Sequence, residues 1–378
     1  MELKEIKNKE HRTTAQTIIE TLNGLDVPVV LDDVAEGLTK LSVHLRFSKP
    51  TKISKLESCM SDLRYALGQP KLAMSDPISG KPGVSLYIPL KERKALTWKQ
   101  ANQLDEFTRA KGLEILLGLD ETLSPLMVDV AKLPHLLLAG STGSGKSVVL
   151  HSLIGQLMSR LTPRHIQFIL VDPKRIEFAR YAGAPHMLTA PITHPRSALE
   201  AFRWANEEME RRFEILSEEG CRDLGEYHGR FKRRSLPHIV IVVDELADIM
   251  YEEPRVVEEQ IVRLTQMGRA AGIHLVVSTV RPSTDVITGL MKANIPARIA
   301  MRVSSVIDSR IILDTPGAED LLGAGDGLYL PLEATYPILF QAAHLTERDS
   351  ERLIRAAKKK YGTKTPKLEF GIAEDAEG

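Results

Sequence analysis

Gly140-Ser-Thr-Gly-Ser-Gly-Lys-Ser147 is the stretch on which the reading of this chain turns. It fits G-x-x-x-x-G-K-[ST], a loop that cradles phosphate. The glycines let successive backbone N–H groups curl around an anion with no Cβ in the way. Lys146 offers a point charge to the β- and γ-phosphates, and the Ser147 hydroxyl can ligand Mg²⁺. The surroundings agree. His135-Leu-Leu-Leu-Ala139 is a short apolar run fit for a buried parallel strand. Residues 147–160 carry apolar residues at helical spacing. The loop thus sits between a strand and a helix N-terminus, where the helix dipole also favours phosphate. The expected nucleotide-binding residues are Gly140, Ser141, Thr142, Gly143, Ser144, Gly145, Lys146, Ser147 and Val148.

Val240-Ile-Val-Val-Asp244-Glu245 supplies the second half of such a site. A buried strand would hold Asp244 beside the Mg²⁺ bound by Ser147. Glu245 would polarise the attacking water as general base. An arginine must also offset charge on the transferred phosphoryl group, often from a neighbouring subunit. Arg269, in Gly268-Arg-Ala-Ala-Gly272 between a helix and a strand, is the first candidate, followed by Arg281 and Arg310.

The bulk numbers set limits. A chain of 378 residues is long for one core, so two domains are expected. Lys plus Arg is 50 and Asp plus Glu is 50, so nothing global pulls the chain to nucleic acid, and any such contact must be local. Cys59 and Cys221 have no metal-ligand spacing and read as reduced thiols of a cytoplasmic protein. No apolar run is long enough to span a membrane, and the N-terminus is no signal peptide.

Residues 1–110 read as a small α+β domain. It has a helical pattern up to about residue 23, strands at 29–31, 41–47 and 84–88, a helix at 52–67, and a Pro/Gly break at 77–83. The lysines and arginine of residues 91–99 read as a solvated face. Residues 111–350 alternate strands and helices. A hairpin at 115–117 and 126–128 precedes the P-loop strand, and further strands fall at 166–171, 239–243, 274–278 and 299–303. This pattern predicts an α/β fold with a mostly parallel sheet flanked by helices. Ligands of such sheets bind at the carboxyl ends of strands, and Gly140, Asp172, Asp244 and Val280 all fall just past strand ends. Residues 222–234 read as a basic, glycine-containing loop. Residues 351–378 read as a C-terminal helix and an acidic tail, frayed from residue 366.

Several stretches have no general role in P-loop proteins. They include Val171-Asp-Pro-Lys174, Gly268-Arg-Ala-Ala-Gly-Ile-His274, Asp285-Val-Ile-Thr-Gly-Leu-Met-Lys-Ala-Asn-Ile-Pro296, Val303-Ser-Ser305 with Asp308-Ser-Arg310, and Leu321-Leu-Gly-Ala-Gly-Asp326. With Pro134-His-Leu-Leu-Leu-Ala-Gly-Ser-Thr-Gly-Ser-Gly-Lys-Ser147 they resemble the FtsK/SpoIIIE family of DNA translocases over most of residues 113–331. Residues 1–110 resemble that family's smaller α domain less distinctly. The resemblance implies a RecA-like ATPase that uses ATP and Mg²⁺. It further implies a homo-oligomeric, hexameric ring that pumps double-stranded DNA. The membrane-spanning N-terminus of many members and the winged-helix domain that reads orienting sequences are not expected in this chain. Val280, in Thr279-Val-Arg-Pro282, stands where the family usually has glutamine, and valine cannot hydrogen-bond. Arg222, Arg230, Lys232, Arg233, Arg234 and Lys292 are the candidate DNA contacts, positive groups that would hold phosphates without reading bases. Two other readings compete: a coupling ATPase for conjugative DNA transfer or packaging, and a nucleotide-gated DNA-binding ring with weakened coupling.

Overall fold

A computed structural model describes residues 3–75, 82–133, 135–232, 236–363 and 367–370. Most of the break expected at 77–83 lies outside the described residues, as do Arg233, Arg234, Pro366 and residues 371–378.

The chain forms two units. The first holds α1 (Lys9–Gly24), β1 (Val29–Glu36), β2 (Lys40–Phe47), α2 (Ile53–Ser58), α3 (Met60–Leu67), β3 (Ala73–Met74) and β4 (Val84–Pro89). Its four strands pair antiparallel in the order β1-β2-β4-β3. Ile18 and Leu22 of α1 and Leu63 of α3 share one core with Leu41, Val43 and Leu45 of β2. The single helix expected at 52–67 is two. Ser58 turns its hydroxyl onto the Lys55 carbonyl (2.7 Å), taking an acceptor from the helix ladder where the break falls at Cys59.

The second unit begins with β5 (Leu96–Thr97), α4 (Trp98–Ala101), α5 (Asp105–Thr108), β6 (Glu114–Asp120) and β7 (Pro125–Asp129). The nucleotide-site segments follow: β8 (Leu136–Ala139), α6 (Lys146–Arg160), β9 (Ile166–Val171), α7 (Pro195–Glu218), α8 (Leu224–Arg230), β10 (His238–Val243), α9 (Leu246–Met250), α10 (Pro254–Ala271) and β11 (Ile273–Thr279). The remainder is α11 (Gly289–Asn294), β12 (Ala297–Met301), α12 (Val306–Leu313), β13 (Asp326–Leu330), β14 (Ile338–His344) and α13 (Glu347–Tyr361). Because β5 pairs with β14, residues 96–108 pack with this unit, and the boundary falls near residue 90 rather than 110.

The large sheet runs β7-β6-β14-β13-β12-β8-β11-β10-β9. The five strands from β12 to β9 are parallel, and β13, β14, β6 and β7 extend the sheet antiparallel. The expected hairpin, β6 with β7, exists and lies at the far edge of the sheet. Helices cover both faces because the strand side chains alternate between two apolar cores. Ile239, Ile241 and Val243 of β10 join α7 and α10 on one side. Val240 and Val242 join α6 on the other.

Two expectations fail locally, and two strands were not anticipated. Residues 224–230 are helical rather than looped, since the Asp223 carboxylate caps the Glu226 N–H (2.8 Å). The C-terminal tail is docked at residues 367–370: Lys367 and Leu368 donate backbone hydrogen bonds to Leu188 O, and the Phe370 ring packs tilted against Trp204. Strands β13 and β14, bordered by Gly323, Gly325, Pro331 and Pro337, carry no sequence signal that reads as a strand.

Candidate nucleotide-binding site

Parallel pairing brings one set of strand ends to a common edge. Val243 is level with Val171 and Val277, and Thr279 with Ala139. Since β11 lies between β8 and β10, Thr279 and Val280 stand between the P-loop and Glu245.

The P-loop is fastened at both rims. Gly140 N–H donates to Thr279 O (3.2 Å) and Ser141 N–H to Arg302 O (2.9 Å). Gly143 and Gly145 have φ of 74° and 111°, a region that favours glycine. A Cβ on Gly145 would come within 2.6 Å of Gly325 N, so this glycine also permits the close approach of the segment before β13. Helix α6 begins at Lys146, so its unpaired N–H groups face the loop.

A cleft of about 640 Å³ opens over this edge. Thr142, Gly143, Gly145, Lys146, Ser147 and Val148 line it together with Asp244 and Val280. Burial holds the Lys146 ammonium below the ordinary lysine range, against the pull of Asp244 and Glu245. Burial, reinforced by the charge of Glu177, pushes the Asp244 carboxyl up to about 6. Glu245 is almost wholly buried. Its Oε1 accepts from Thr279 Oγ1 (2.6 Å), the Val280 N–H reaches both its oxygens at 3.3 Å, and Lys174 Nζ donates to Oε2 at 2.9 Å.

The set suits Mg²⁺. Ser147 Oγ donates its proton to Glu177 Oε1 (2.8 Å), which keeps the oxygen lone pairs for a cation. Asp244 is a buried acid whose charge a hard divalent ion would offset. Ser147 and Asp244 are the residues that would hold it.

Sequence reasoning missed Lys174 and Glu177, both on the loop after β9. Lys174 lay in a quoted stretch without a role, and Glu177 follows three residues later. Glu177 Oε2 meets His151 Nε2 (3.1 Å), whose Nδ1 meets the Tyr181 hydroxyl (3.0 Å). The hydrogen bond to His151 holds the Glu177 carboxyl below its usual range. Nothing but fold topology links these residues to Ser147.

The other sequence candidates lie apart. Arg269 is exposed in the last turn of α10, beside the start of β11, at the end of the sheet opposite its own P-loop. Arg281 stacks over Tyr251 just past β11. Arg310 is exposed on α12. Arg222 and Arg230 flank Glu226 at 3.5 and 3.4 Å, and Lys292 pairs with Asp314 at 2.7 Å. Lys232 is exposed.

A parallel sheet with a phosphate loop and two strand-end acids at one edge defines a RecA-like P-loop ATPase fold. The family model of the FtsK/SpoIIIE family matches residues 100–284, and that of the FtsK alpha domain matches residues 1–90. The chain belongs to the FtsK/SpoIIIE family. It is 42% identical over 359 residues to a DNA translocase FtsK of Caldanaerobacter subterraneus subsp. tengcongensis, covering 95% of this chain and 51% of the relative. It is 40% identical over 357 residues to a DNA translocase FtsK of Clostridium acetobutylicum, covering 93% and 47%. The chain thus spans about half the length of these curated relatives. Among solved structures, the pCW3 conjugation coupling protein TcpA, in its monomer form with ATPγS, superposes with a TM-score of 0.63 at 24% identity, covering 91% of this chain and 99% of that one. The cytoplasmic domain of the Thermomonospora curvata type VII secretion ATPase EccC gives 0.59 at 26% identity, covering 70% and 33%. No helix among the described residues is long and apolar enough to cross a membrane.

Proposed function

We propose that this chain is the motor portion of an ATP-driven double-stranded DNA translocase that works as a homo-oligomeric, hexameric ring in the cytoplasm. The observation that carries the reading is the convergence of Lys146, Ser147 and Asp244 on one cleft, with Glu245 buried behind it and paired to the cleft-lining Lys174, in a chain so similar to proteins named DNA translocase FtsK.

In this reading Lys146 and the P-loop N–H groups hold the β- and γ-phosphates of ATP. Ser147 and Asp244 would hold Mg²⁺, which would supply charge neutralisation at the phosphate oxygens. Glu245 takes the proton of a water whose oxygen bonds to the γ-phosphorus as the bond to the β-phosphate oxygen breaks, leaving ADP and phosphate. Arg269, at the far end of the sheet from its own P-loop, serves the γ-phosphate of a neighbouring subunit. The basic residues around Lys232, with Arg233 and Arg234, hold the DNA backbone without reading bases. Arg222, Arg230 and Lys292 contribute less, since each already faces an acid.

Steady-state ATP hydrolysis with and without duplex DNA tests the reading. Turnover should rise with DNA of any sequence. Glu245→Gln should still bind ATP while losing roughly 10²–10⁴-fold in turnover, the worth of a general base. Hydrolysis indifferent to DNA would remove the motor, and wild-type turnover in Glu245→Gln would move the base elsewhere.

A further inference from the structure

The loop 172–178 reaches both chemical ends of the cleft. Its own ends are tied, since the Asp172 carboxylate accepts the Phe178 N–H at 2.9 Å. Between them, Glu177 takes the Ser147 hydroxyl proton and Lys174 takes Glu245 Oε2. Glu245 has three donors, and they differ in freedom. Thr279 and Val280 belong to the end of β11 and are held by the sheet. Lys174 is held by nothing comparable: its side chain is 41% exposed and lines the cleft with Lys146 and Val280. With Lys174 and the Val280 N–H both on Glu245 Oε2, neither acceptor site of that oxygen is free for a water's proton. Val280 cannot report the nucleotide through its side chain, and its backbone N–H is spent on Glu245.

We propose that Lys174 is a positioning residue that distinguishes ATP from ADP. With the site empty or holding ADP it stays on Glu245. A γ-phosphate brings more negative charge than one carboxylate, draws the ammonium across, and leaves Glu245 Oε2 open to the attacking water. The proposal rests on the reading of Glu245 as general base, but its main test does not need hydrolysis.

The test measures affinities for ATPγS and ADP in Mg²⁺ by titration calorimetry. Lys174→Ala should weaken ATPγS by about tenfold or more, the size of one charge-assisted hydrogen bond, and leave ADP within about twofold. Lys174→Gln can still donate to Glu245 but has no charge for a phosphate, so it should lose the same preference and guards against misfolding of the alanine variant. Lys174→Arg should restore most of it. An unchanged ATPγS-to-ADP ratio in both neutral variants would overturn the proposal and leave a static ion pair. Failure of the base reading would show separately, as wild-type turnover in Glu245→Gln.

Discussion

At the amino ends of β8, β10 and β11 stand His135, His238 and His274; at the carboxyl ends of the same strands stand the P-loop, Asp244 and Val280. Both ends bury titratable side chains. At the amino end they are turned inward on one another and on backbone. His238 Nδ1 meets His274 Nε2 at 3.0 Å, the His135 Nδ1 accepts the Leu275 N–H at 3.0 Å, and the buried Arg212 bonds Glu208 and Ala271 O. Burial keeps the rings neutral, taking His135 and His238 down to about 3 and His274 well below its ordinary value. At the carboxyl end, opposite charges gather at a cleft, and in one pair, Lys174 with the buried Glu245, the lysine is partly open to solvent. Perturbed titration is therefore common to both ends and does not by itself mark a site. Opposite charges whose pairing a ligand can exchange do.

Arg269 is the residue that would break this division, because it lies at the amino end yet is assigned a catalytic role in trans. Arg269→Ala should bind ATP normally and lose roughly 10³–10⁵-fold in turnover, as fingers of this kind do. Lys146→Ala should fail in its own site while still lending Arg269 to a neighbour. Mixed rings of the two variants should regain some hydrolysis. No recovery in mixtures shown to co-assemble would return Arg269 to the structural end and shift attention to Arg281 or Arg310.

Lys40 sharpens the comparison from the other side. Its ammonium pairs with Asp326 at 2.7 Å, both nearly buried, joining the small unit to the strand that follows Gly325 at the nucleotide edge. This is a charged pair at the carboxyl end that lies outside the nucleotide cleft. Lys40→Met should cost about 3–5 kcal/mol of stability by stranding the Asp326 charge, read as a lowered denaturation midpoint. A variant as stable as the parent would mean that water already screens Asp326.

The histidines give the most gradual effect. The unfolded chain protonates them near 6.5, whereas the folded state holds His135 and His238 neutral down to about 3. Between those values the unfolded state binds more protons. The stability they provide is thus complete above about pH 6.5 and is lost as pH falls toward 3, by up to roughly 1.4 kcal/mol per pH unit for each ring. Urea unfolding from pH 7.5 to 5 should show the decline. A flat midpoint would show that the amino end accepts charge after all.

What could be read from sequence was local. Gly140 to Ser147 and Val240 to Glu245 each carry strand, turn and chemistry in one continuous stretch, so the phosphate loop and both strand-end acids were legible. Lys174 and Glu177 were not, because their partners are 71 and 30 residues away and are met only through sheet order. The same holds for Lys40 with Asp326. Helix α8 was hidden by Gly225 and Gly229, whose presence outweighed the cap at Asp223. Of the antiparallel strands, β6 and β7 were legible as a hairpin, whereas β13 and β14 were hidden because they are reached by turn-rich segments.

Displacement of a third strand from a triplex-bearing duplex tests the motor most directly. With ATP the 378-residue chain should strip the third strand after a lag that lengthens with the duplex between loading end and triplex. ADP, or Glu245→Gln with ATP, should leave it in place. DNA-stimulated hydrolysis with the triplex intact at every duplex length would contradict translocation and leave a nucleotide-gated DNA-binding ring.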